Sequence, residues 1–128
     1  MNYNYIKPEY LEMVTGNDSG LIKELVVMFR EQTAEIFRDM KSLLSGKEYN
    51  SLGLLAHKAK SSVAIMGMES LAEMLKQFEL KAKDGIETEK YDYYVTRFGE
   101  DTKCAVMELE TMVNGEEKKS NLINIDFP

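Results

Sequence analysis

The two prolines of this 128-residue chain are Pro8 and Pro128, and nothing between them forbids a helix. A proline in a helix interior removes a hydrogen bond and clashes with the preceding turn, costing ~3 kcal/mol. The intervening sequence is rich in Leu, Met, Glu, Lys and Ala, all strong helix formers. In four long segments apolar residues recur every three or four places, the period of an amphipathic helix. These features constrain the chain toward long helices packed on one another.

Clusters of Gly, Asn, Asp and Ser separate the segments: "TGNDSG", "SGKEYNS", "MGM", "KDGIET" and "NGEEKKSN". The first segment covers about residues 19–44, with Leu21, Leu25, Met28, Phe29, Ile36, Met40, Leu43 and Leu44 as its apolar stripe. Asp18 is placed to cap its start and Gly46 to follow its end. The second covers about 49–66. The third covers about 69–83, with Leu71, Met74, Leu75 and Phe78 on one side. The fourth covers about 88–113, with Tyr91, Tyr94, Val95, Phe98, Val106, Leu109 and Val113, and it contains Gly99. Proline is favoured at a first helical position, so a short helix is expected from Pro8 to about residue 14.

Four such segments with short connections predict an all-α fold. The architecture is an antiparallel up-down-up-down four-helix bundle with a short extra N-terminal helix. One domain is expected over residues 1–128, with the bundle at about 18–114. The tail, 115–128, is expected to be loosely docked or flexible.

A net charge of −6 argues against a general grip on nucleic acid or on an anionic membrane surface. No run of ~18 apolar residues is present, and residues 1–10 lack the apolar core of a signal peptide. A cytoplasmic, monomeric protein is expected. Cys104 is the sole cysteine, which excludes an intrachain disulfide and a thiolate zinc cluster.

The stretch "LLAHKAKSSVAIMG" carries the only histidine, His57. On a wheel of ~100° per residue, Leu52, Leu55, Ala59 and Met66 fall within about 40° of the side opposite His57. The imidazole therefore points away from the core. Around it lie Gly53, Lys60, Ser61 and Ala64, with Met68 beyond the helix end. An exposed helix face normally bears long charged side chains, so this patch reads as cleared for the close approach of something large. A plainer reading, an incidental surface histidine on a helical adaptor bundle, stands beside it.

Other chemistries fit less well. A metal site needs more ligands than one histidine. A haem ligand would face inward. A serine–histidine triad needs a buried base and an orienting carboxylate, which nothing in the sequence specifies. No Gly-rich phosphate loop suggests ATP. A nucleophilic imidazole with Lys60 one turn away suits phosphoryl transfer, whose catalysis is mostly positioning and charge stabilisation.

The stretch "AHKAKSSVAIMGMESLAEMLKQFE", residues 56–79, resembles the signature of histidine-containing phosphotransfer (HPt) domains. The resemblance makes His57 the phosphorylated histidine and Lys60 the lysine three places on. Ser61 takes the small-residue position and Ser62 the following serine. Gly67 is the glycine ten places on, while Leu71, Leu75 and Phe78-Glu79 match the next helix. Ala59 stands where a larger aliphatic residue is commoner, and Ser61 where glycine is. The resemblance implies a phosphorelay phosphocarrier, in which His57 takes a phosphoryl group from one receiver-domain aspartate and passes it to another. One receiver would be that of a hybrid histidine kinase. The receivers would supply a divalent metal such as Mg, and the chain would have no cofactor and no ATP-dependent kinase activity of its own. Gly53, Leu54, Ser61, Ala64, Gly67 and Met68 are the expected docking residues.

Overall fold

The computed structural model describes residues 3–125, with side chains described over 3–115. The helices are α1 (Pro8–Thr15), α2 (Ser19–Ser45), α3 (Tyr49–Ile65), α4 (Glu69–Asp84) and α5 (Tyr91–Ile125), and a 3₁₀ turn at Thr88–Lys90 leads into α5. Helices α2 to α5 pack in a ring, each against its neighbours in sequence, with α5 closing on α2. That is the expected up-down-up-down bundle. The short α1 lies across its end, against α2 and α3.

The boundaries follow from local chemistry. The Asp18 carboxylate accepts a hydrogen bond from the Leu21 N–H at 3.1 Å, satisfying a donor that the first turn of α2 leaves free. At the far end of α2 it is Lys47, not Gly46, that takes the left-handed conformation (φ 55°). Gly67 reverses the chain between α3 and α4 at φ 76°, where a side chain is strained, and it packs against Lys7.

The core of α2 is Ile22, Val26, Phe29, Thr33, Ile36 and Met40, spaced alternately four and three apart. This corrects the sequence-derived stripe, because Leu21 and Met28 are exposed. Thr33 interrupts the apolar pattern but stays buried, since its hydroxyl donates to the Phe29 carbonyl at 2.8 Å. In α5, Tyr91, Tyr94, Val95, Phe98 and Leu109 are buried as the periodicity requires. The Tyr91 ring packs on Phe78, and its hydroxyl lies 2.7 Å from the Lys81 carbonyl and 2.6 Å from that of Ile86. It thereby ties the last turn of α4 to the loop that follows it.

Helix α5 passes through the expected break near residue 114 and continues to Ile125. One exposed glycine, Gly115, is not enough to end a helix that has good formers on both sides. The backbone of the tail expected from residue 115 is therefore helical to Ile125, and residues 126–128 lie outside the described residues.

Ahead of α1 the chain forms a strap. The backbone N–H groups of Asn4, Tyr5 and Ile6 all donate to the Glu108 carboxylate of α5, at 2.7, 2.9 and 3.1 Å. The Lys7 N–H donates to the Met66 carbonyl at 2.9 Å, tying the strap to the end of α3.

Gly99, which costs helix propensity, has a packing reason. The Phe37 ring of α2 lies where its side chain would begin, and the Lys41 ammonium stands 4.5 Å from that ring's centroid. Gly99→Ala gains about 1 kcal/mol of propensity but overpacks this contact, so a net loss of about 1–2 kcal/mol is expected in urea denaturation. Phe37→Leu in the same chain should recover part of that loss.

Candidate functional site

Helix α3 has two buried sides and one open one. Leu52, Ala56, Ala59 and Val63 are wholly buried, and His57 is exposed, with 60% of its side-chain surface accessible. The structure thus places His57 where the helical period puts it.

The imidazole is nevertheless not free. Its Nδ1 lies 2.7 Å from Oε1 of Glu79 on α4. Glu79 is itself buried, 6% exposed, at the edge of the apolar stripe of α4. Two lysines converge on the same carboxylate: Lys83 Nζ lies 3.2 Å from Oε2, and Lys60 Nζ 3.7 Å from Oε1. Burial pushes the Glu79 carboxyl upward, but hydrogen bonds from His57 and Lys83 outweigh it and hold the pKa below the ordinary glutamate value.

The direction of the His57–Glu79 hydrogen bond follows from the charge on the carboxylate. An ionised carboxylate only accepts hydrogen bonds, so the proton between the two groups sits on Nδ1 of His57, which donates. In the neutral ring the other nitrogen, Nε2, then carries the lone pair. The site is an exposed imidazole with its tautomer fixed from below and cations at its side. This arrangement can attack an electrophile brought from outside, and the carboxylate stabilises the positive charge the ring acquires.

The sequence-derived site residues divide. Leu54, Ser61 and Ala64 are exposed on the His57 side of α3, and Lys60 is partly buried against Glu79. Three expected docking residues are not on an open face. Gly53 is buried against α4, Gly67 is buried in the turn against Lys7, and Met68 is 4% exposed within the core. A wheel drawn for one helix shows its own faces and not where a neighbouring helix lies over them. Ser62 faces α2, where its hydroxyl donates to Gln32 Oε1 at 2.8 Å. Glu79 as the partner of His57 was missed. The available signal was a carboxylate on the shoulder of the stripe Leu71, Leu75, Phe78 and Ala82, with Lys83 one turn on.

Among the described residues no cluster of His, Cys, Asp and Glu is suited to a metal ion, and no helix is long and apolar enough to cross a membrane. A family model described as "Hpt domain" matches residues 24–115. Comparisons with curated proteins and with solved structures gave no match.

The lowered pKa of Glu79 ties this site to stability. A carboxyl with a depressed folded-state value stabilises the fold above its ordinary range, about pH 4.3, and loses that contribution as pH falls through the folded value. Urea denaturation of Glu79→Gln from pH 7 to 2 should therefore show a shallower acid limb than the parent. Coincident acid limbs would show that the carboxylate is not held in its charged form.

Proposed function

Because the chain belongs to the Hpt domain family, whose members act as phosphocarriers in phosphorelays and interact with receiver domains, we propose that His57 is the residue that carries the phosphoryl group. The observation behind this reading is the 2.7 Å hydrogen bond between exposed His57 and buried Glu79. An incidental surface histidine on an adaptor would have no need of a buried carboxylate to fix its tautomer.

The step balances without a metal or base from this chain. The Nε2 lone pair forms a bond to the phosphorus of a receiver's aspartyl phosphate. The bond from phosphorus to the aspartate oxygen breaks, and the aspartate leaves as a carboxylate. No proton has to leave Nε2, because it carries none. The Nδ1 proton stays in place, and the Glu79 carboxylate faces the positive charge gained by the ring. Lys60, one turn along, is held at 3.7 Å, beyond hydrogen-bond distance, and so is available to the phosphoryl oxygens. Transfer to a second receiver reverses these steps. The receivers supply the divalent metal.

Docking rests on Leu54, Ser61 and Ala64. Leu54 is 58% exposed one turn before His57, and the small Ser61 and Ala64 lie one and two turns after it. This gives an apolar contact beside an unobstructed imidazole, suited to a transient interface. A cytoplasmic monomer that meets a hybrid kinase's receiver and then another completes the proposal.

His57→Gln should abolish phosphoryl acceptance from a phosphorylated receiver while retaining the helical circular dichroism of the parent. Acceptance at the parent's rate would refute the assignment. Lys60→Ala should slow transfer and change the phosphohistidine lifetime without unfolding the bundle.

The face itself is tested by size. Ser61→Gly should be tolerated, whereas Ser61→Gln and Ala64→Gln should block receiver binding and transfer with helicity retained. Bulky variants that bind as well as the parent would remove these residues from the interface.

A further inference from the structure

We propose that Gly53 and Lys83 are positioning residues of this site, which together fix Glu79 where it holds the His57 proton on Nδ1. The inference deepens the reading of His57 as the phosphoryl carrier and rests on it.

Gly53 stands one turn before His57, on the side of α3 that meets α4. A Cβ at this position would lie 3.2 Å from the Glu79 carbonyl oxygen and 3.3 Å from both Ala82 Cβ and Lys83 Cγ. The nearest atom is thus backbone of the residue whose side chain grips His57. A lysine stem yields cheaply to a methyl group, whereas a helix backbone moves only with its helix. Glycine inside a helix is disfavoured relative to alanine. Here it gives the separation at which a glutamate on α4 reaches an outward imidazole on α3.

Lys83 completes the setting. Its stem runs over Gly53, and its ammonium sits 3.2 Å from Glu79 Oε2. The two carboxylate oxygens then have separate tasks: Oε1 accepts from His57, and Oε2 from Lys83. This fixes the rotation of the carboxylate. It also supplies the positive charge that Lys60 would otherwise provide, leaving Lys60, at 3.7 Å, only loosely engaged. One lysine holds the carboxylate by a hydrogen bond, and the other, in a longer ion pair, can turn to the phosphoryl group.

The test uses the whole chain labelled with ¹⁵N. With a single histidine, the imidazole nitrogen spectrum belongs to His57 without further assignment. In the parent, Nδ1 should carry the proton and Nε2 should show the shift of an unprotonated ring nitrogen. Gly53→Ala and Lys83→Met should keep the helical circular dichroism yet move the ring toward the Nε2–H tautomer. Lys83→Arg should restore the parent spectrum, since a guanidinium also reaches the carboxylate. Transfer from a phosphorylated receiver should fall on the order of tenfold in Gly53→Ala and Lys83→Met, the scale expected of a sub-ångström misplacement. A ring spectrum indifferent to both substitutions overturns the inference even if His57 is phosphorylated. Failure of Lys83→Arg to rescue removes Lys83 from it. A parent that accepts no phosphoryl group overturns the underlying reading of His57, in an assay separate from the ring spectrum.

Discussion

The site depends on how closely α3 and α4 approach each other. Packed helices lie 8–10 Å apart according to the side chains between them. Here the residues that meet are small: Gly53 on α3 lies against Ala82 on α4, both buried. The two helices form the most extensive interface in the bundle. Larger residues in that seam would widen it, and a glutamate on α4 would no longer reach an imidazole pointing away from the α3 core. Ala59, two places after His57, where a larger aliphatic residue is commoner, is wholly buried.

Electrostatics explains why that reach is useful. A buried carboxylate is costly to desolvate and stays charged only where partners repay the cost. Glu79 has three: the His57 Nδ1–H and the ammonium groups of Lys83 and Lys60. The cluster orients a proton, and it concentrates positive charge beside the imidazole of a chain whose overall charge is −6. Under the proposed role, phosphoryl oxygens arriving there would meet cations already in place, leaving little reorganisation for the moment of transfer.

The rest of the molecule holds this pair steady. The strap before α1 joins the end of α3 to α5 through Lys7 and Glu108. Glu69, at the start of α4, receives the Lys7 ammonium at 3.0 Å and the Tyr10 hydroxyl. Phe37 fills the space left by Gly99 between α2 and α5. The helix that carries His57 is thereby fixed at its C-terminal end as well as along its side, and only its outer face remains open.

Helix positions, the bundle class and the outward direction of His57 were legible in the sequence, because each depends on the period of a single helix and the punctuation between helices. The exposure of Leu54, Ser61 and Ala64 on that side of α3 was legible for the same reason. The rotation of α2 was read one position off at Leu21 and Met28, since its true stripe includes Thr33, whose hydroxyl satisfies itself on the Phe29 carbonyl. The run of α5 past residue 114 was missed because turn-forming residues raise the cost of a helix without forbidding it. Gly53, Gly67 and Met68 looked open because their own helix or turn leaves them so. It is α4 and the strap that close over the two glycines, and the packed core that takes in Met68. The grip of Glu79 on His57 spans 22 residues and two helices. It exists only at one inter-axial distance and one relative rotation, quantities set by how side chains of different helices interlock and carried by no single segment of the chain.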